Sequence, residues 1–116
     1  MSVTTTDRAV GAAWQGRLEA LADHSLGGRS FCQRLAGATD VWIEALAASA
    51  CEQHPRAPRF ALLAVGGFGR GELSPQSDLD LLLVHDSKPK HVEEIASAIW
   101  YPVWDAGLKL GHAVRS

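Results

Sequence analysis

Cysteine is nearly absent: Cys32 and Cys51 are the only two in 116 residues. Their spacing matches no thiolate metal site and no short redox motif. Both lie in alanine-rich stretches, so the expectation is a pair of buried free thiols in a reducing compartment. Long apolar runs are missing as well. None approaches the ~20 residues of a membrane-spanning helix. The start, MSVTTTDRAVGAAW, has neither the basic opening nor the apolar core of a secretory signal. Basic charge is not in excess: Lys and Arg number 11 against 13 Asp and Glu, a net charge of -2. That balance excludes nucleic acid and anionic membrane as electrostatically driven partners. Lys88, Lys90 and His91 are the nearest approach to a basic patch, and they read as the solvated start of a helix. No Gly-Lys-Ser/Thr occurs anywhere, which removes the Walker phosphate loop. The expected protein is soluble and cytoplasmic.

What remains is globular: 47% hydrophobic and 21% charged residues, in a length suited to one domain or part of one. Trp14, Leu18, Leu21 and Ala22 recur at helical spacing and predict a helix over 8–25, after a frayed tail at 1–7. "LGGR" at 26–29 stops it. A second helix is expected from Ser30 to Gln53, with Phe31, Leu35, Val41, Trp42, Leu46 and Cys51 inward and a break at Gly37 or Asp40. Two prolines in "HPRAPR" (54–59) end it. "RFALLAV" (59–65) and "LDLLLVH" (79–85) are short apolar runs that fit buried strands. Pro89 opens a helix over 89–105, which Pro102 kinks or shortens and Gly107 stops. "LKLGHAV" (108–114) alternates and reads as a third strand. The division is a tail at 1–7, a helical segment at 8–55 and a strand-containing core at 56–116. The last strand stops at Ser116 with nothing after it to pair with, as expected of a fragment of a longer protein.

The most informative stretch is "AVGGFGRGELSPQSDLDLLLVH", from Ala64 to His85. It holds four glycines between Ala64 and Gly71, then Asp78 and Asp80 at the head of a leucine run. Side chains at i and i+2 of a strand share a face, so the two carboxylates repel each other there. Asp is also a poor strand former. A divalent cation between them offsets both costs, and Mg²⁺ favours such oxygen ligands while keeping positions open for water and phosphate. Gly66 and Gly67 follow the first strand directly. They allow a sharp turn and let backbone N–H groups approach an anion. Arg70 is a fork of donors for phosphate. A phosphate cradle at the end of one strand, beside a metal-binding pair on the next, is a layout for phosphoryl or nucleotidyl transfer. The dinucleotide fingerprint does not fit: Phe68 takes the second glycine position counted from Gly66, and Glu72 the third counted from Gly67.

The pattern of two glycines, ten residues and D-x-D resembles the signature of the polymerase-β-like nucleotidyltransferase superfamily. "GGFGRGELSPQSDLDLLLVH" is more narrowly similar to the PII uridylyltransferase/uridylyl-removing enzymes of bacterial nitrogen sensing. "YPVWDAGLKLGHAVRS" (101–116) is similar to the next segment of that family. The resemblance implies an α/β (α+β) fold, with a small mixed sheet preceded by helices. It implies transfer of UMP from UTP to a tyrosine of the PII signal protein, with Mg²⁺. Asp78 and Asp80 match the family's metal-binding aspartates, and Gly66 and Gly67 its phosphate-binding glycines. Arg70, Glu72, Ser74 and Ser77 match the string between them, Arg70 and Ser77 as candidate triphosphate contacts. The later hydrolase and glutamine-sensing domains of that family have no counterpart here.

One departure stands out. The superfamily uses a third carboxylate on a neighbouring strand, whereas the third strand here offers Lys109, Gly111 and His112. The missing acid lies beyond Ser116, or the arrangement differs; Asp86, Glu93, Glu94 and Asp105 are poorly placed for the role. Two alternatives stay open: adenylylation of PII or of another protein from ATP, and a non-catalytic nucleotide-binding regulatory fragment.

Overall fold

The computed structural model describes residues 5–25, 27–55, 59–66, 78–86 and 89–115. The elements run α1 (Thr5–Ala22), α2 (Gly28–Gln53), β1 (Phe60–Val65), β2 (Leu79–His85), α3 (Pro89–Asp105) and β3 (Leu110–Arg115). This is an α+β arrangement, with three helices and one mixed three-stranded sheet among the described residues. No described helix is long and apolar enough to cross a membrane.

β2 is the central strand, in the order β1-β2-β3. It pairs antiparallel with β1, Val65 opposite Asp80, and parallel with β3, Asp80 opposite Gly111. A parallel pair needs a crossover between its strands, and α3 supplies it. Alternation sorts the sheet into two faces. Leu79, Leu81 and Leu83 of β2 are buried, and Leu62, Ala64, Leu110 and Val114 on the flanking strands pack against the same core. Val92, Ile95, Ile99 and Val103 of α3 complete that core at helical spacing, each almost without exposure. The other face carries Leu63, Val65, Asp80, Leu82, Gly111 and Ala113. There Leu63 is 47% and Val65 39% exposed.

The helices depart from the sequence expectation in specific ways. α1 begins at Thr5, ahead of the residue 8 that periodicity predicts. It buries Ala13, Arg17 and Ala20, whereas Leu18 and Ala22 are exposed. The helix packs against α2, and Val10, Trp14 and Leu21, partly buried, join Ala13, Arg17 and Ala20 on the core side. α2 is one unbroken helix. Gly37 and Asp40 both lie on its exposed side, so neither interrupts the buried series Leu35, Ala36, Thr39, Trp42, Ile43 and Leu46. Val41 falls one step off that series and is 56% exposed. Cys51 is exposed and Cys32 half-buried, both free, which corrects the expectation of two buried thiols.

Arg17 is the one arginine or lysine buried among the described residues. Its Nε donates to Thr39 Oγ1 at 3.0 Å, and its guanidinium carbon stands 5.5 Å from the centre of the Trp14 ring. The Thr39 hydroxyl in turn donates to the Leu35 carbonyl at 2.7 Å. Burial lowers the Arg17 pKa. Where α1 joins α2, Asp23 accepts from Ser25 and pairs with Arg34.

Pro102 sits inside α3 without ending it, since the helix continues to Asp105. Gly107 then takes a left-handed φ of 82° and donates to the Trp104 carbonyl at 2.9 Å, while Leu108 donates back to Val103. This is a glycine-type helix stop, and it turns the chain into β3.

Candidate active site

Asp80 lies one residue in from the start of the central strand, on the sheet face turned away from α3. Its place follows from alternation: Leu79 and Leu81 belong to the core, so the side chain between them points away from the helices. It is half-buried, and its carboxylate reaches across both neighbouring strands. Gly66, just past β1, has a left-handed φ of 64°. A β-carbon at that position would stand 2.8 Å from Asp80 Oδ2. Gly111, opposite Asp80 on β3, leaves no more room, since a β-carbon there would collide with Asp80 Oδ1. Each carboxylate oxygen therefore occupies the space that a side chain on the adjoining strand would fill.

Asp78 lies immediately ahead of β2 and is exposed. It precedes Asp80 by two residues, roughly 6.5 Å between α-carbons in extended chain, and would share its side were the strand's alternation continued. Among the described residues, neither aspartate has a salt-bridge partner and no group of three or more His, Cys, Asp or Glu is placed to hold a metal. Two carboxylates without a salt-bridge partner among the described residues, one of them in room that glycine leaves on both flanks, are a donor set that fits a hard divalent cation.

Gly67, Arg70, Ser77, Glu72 and Ser74 lie outside the described residues. His112 is opposite Leu81 and therefore on the helix side of the sheet. Its ring lies 5.3 Å from those of both Trp100 and Trp104. Lys109 is exposed, and its carbonyl accepts from the Leu79 N–H at 3.0 Å. Arg115 shares the face of Asp80 but pairs with Val84, about 13 Å along the strand, and its Nη1 donates to the Val114 carbonyl. Glu93, Glu94 and Asp105 line an open groove of about 600 Å³ with His54 on the outer side of α3, across the sheet from Asp80. Asp86 is exposed beyond the far end of β2. None of these acids stands beside Asp80.

The residue that sequence reasoning passes over is Gly111. The available signal was a glycine in the middle of a strand, which marks a bulge or a close approach.

The nucleotidyltransferase domain family matches residues 43–114, a span that holds Gly66, Asp78, Asp80 and Gly111. Over its whole length the chain is 44% identical to a protein of Streptomyces coelicolor named bifunctional uridylyltransferase/uridylyl-removing enzyme, of which it covers 14%. Proteins of the same name from Mycobacterium tuberculosis and a Bradyrhizobium strain are 53% identical over 58 residues and 44% identical over 96. Those alignments take in 49% and 77% of this chain, and 7% and 10% of the relatives. No solved structure matches the chain.

Proposed function

We propose a reaction from one established premise: the chain belongs to the nucleotidyltransferase domain family. The reaction is transfer of UMP from UTP to a tyrosine hydroxyl of the PII signal protein. The name shared by the relatives supports uridylyl transfer, and the acceptor rests on the motif resemblance. The observation that carries the reading is the seat of Asp80, whose carboxylate takes the room that glycine leaves at 66 and 111, with Asp78 two residues ahead.

Asp78 and Asp80 hold a divalent cation in this reading. When bound, Mg²⁺ supplies neutralising charge to the triphosphate and to the departing pyrophosphate. The left-handed turn at Gly66 would offer its N–H to the phosphates, and Gly67, Arg70 and Ser77 would supply further donors. The tyrosine oxygen bonds to the α-phosphorus as the bond from that phosphorus to the bridging oxygen breaks. Pyrophosphate leaves, and the hydroxyl proton passes to solvent.

The test mixes the intact enzyme that carries this domain, Mg²⁺ and purified PII with α-labelled UTP or α-labelled ATP, since the chain alone, with no third carboxylate beside Asp80 among its described residues, is expected to be inactive. Label on PII from UTP is expected. Asp80→Asn should lower it by on the order of a hundredfold or more, with the circular dichroism spectrum unchanged. Label from ATP alone would assign adenylylation instead. UTP binding without pyrophosphate release would mark a nucleotide-binding fragment. Full turnover by Asp80→Asn would remove the metal role.

A further inference from the structure

Gly111 has no backbone reason to be glycine. Among the described residues only Gly66 and Gly107 take a positive φ, so position 111 has dihedrals open to any residue. It lies inside β3, where glycine weakens a strand relative to alanine. What glycine supplies there is the absence of a side chain, and one neighbour uses that absence. A β-carbon at 111 would overlap Asp80 Oδ1 and stand 3.4 Å from Asp80 Cγ, whereas the nearest backbone atom, the Leu79 carbonyl oxygen, is at an ordinary 3.8 Å. The strand accepts a methyl group at 111; the Asp80 carboxylate does not. On the opposite side, a β-carbon at Gly66 would stand 2.8 Å from Oδ2. The Asp80 carboxylate thus stands in room that side chains at 66 and 111 would take from it.

We propose that Gly111 is a positioning residue. It reserves the space in which the Asp80 carboxylate stands, and so fixes the direction in which that carboxylate is offered to a divalent cation. This rests on the metal-dependent reading above. It also gives a physical reason why β3 provides no acid opposite Asp80: the carboxylate already fills the position that such a side chain would need.

Gly111→Ala is the discriminating variant, since its backbone conformation is compatible with alanine, whereas Gly66→Ala combines a clash with a strained φ. The probe is Mn²⁺ alone, bound to the chain and followed by electron paramagnetic resonance. The Asp80 side-chain carboxyl signal in ¹³C NMR and the Tm are recorded on the same samples. Gly111→Ala is expected to keep or raise Tm, to shift the Asp80 carboxyl signal, and to weaken Mn²⁺ binding on the order of tenfold. Ala113→Ser, on the same face one step further along, should change neither readout. An unmoved Asp80 signal with unchanged Mn²⁺ affinity overturns the proposal. If Gly111→Ala does not fold, it is combined with Asp80→Ala. A folded double variant places the clash at Asp80, and an unfolded one shows that the fold itself requires glycine, which also overturns the proposal. Failure of the unsubstituted chain to bind Mn²⁺, or equal binding by Asp80→Asn, sinks the metal reading. The Asp80 carboxyl signal then still decides whether Gly111 directs that side chain.

Discussion

His112 lies one residue past Gly111, the partner of Asp80 in the β2–β3 register, and that single step puts its ring on the other side of the sheet from the carboxylate. It rests instead against Trp100 and Trp104 of α3. A histidine on the strand beside Asp80 invites a catalytic assignment, but here its contacts tie β3 to the crossover helix.

His112→Ala is therefore expected to lower stability by about 1 kcal/mol, the scale of partly exposed aromatic contacts, and to leave Mn²⁺ affinity within twofold. Urea denaturation and the Mn²⁺ titration described for Gly111 measure the two quantities on one preparation. A large loss of metal affinity at unchanged stability would return His112 to the site.

Asp78 and Asp80 make opposite predictions as a structural cap and as an ion-binding pair. Two like charges roughly 6.5 Å apart in water repel by about 0.6 kcal/mol. In the absence of divalent ions, Asp78→Asn should thus raise stability slightly or leave it unchanged, whereas loss of a helix or turn cap would lower it by about 1 kcal/mol. Adding Mg²⁺ should then stabilise the unsubstituted chain more than the variant, because a ligand that binds only the folded state stabilises in proportion to its affinity. Thermal melts in EDTA and in Mg²⁺ give both signs.

The sequence made the strands and α3 legible because each is an apolar run bounded by Pro, Gly or a polar turn. Leu79–His85 and Pro89–Asp105 coincide with the expected limits. The helical pair was harder to read. Val41 and Leu18 are as apolar as their buried neighbours, and only the packing of α1 on α2 decides which stripe is covered. The expected shared face of Asp78 and Asp80 follows from alternation alone, a local rule. The seat of Asp80 does not, because it depends on register: Gly66 and Gly111 are 45 positions apart in the chain and meet the same carboxylate only after β1 and β3 have paired with β2. Gly111 carried a local hint without a partner to interpret it.

The helical layer can be weakened without touching the sheet face, and Arg17–Thr39 is the place to do it. Thr39→Val keeps the shape of the side chain but removes the acceptor of the buried Arg17 Nε–H. The expected loss is about 1.5 to 3 kcal/mol, the usual contribution of a hydrogen bond to a charged group. Thr39→Ser keeps the hydroxyl and should retain most of the stability. Arg17→Met combined with Thr39→Val removes donor and acceptor together, so the double variant should be more stable than Thr39→Val alone. Denaturant midpoints for the four chains test this order. Because Arg17 and Thr39 pack between α1 and α2, Mn²⁺ affinity should stay constant across the series wherever the chain is folded. A metal affinity that fell in step with stability would mean that the helices hold the strands in register, and that the seat of Asp80 depends on the whole fold rather than on its two flanking glycines.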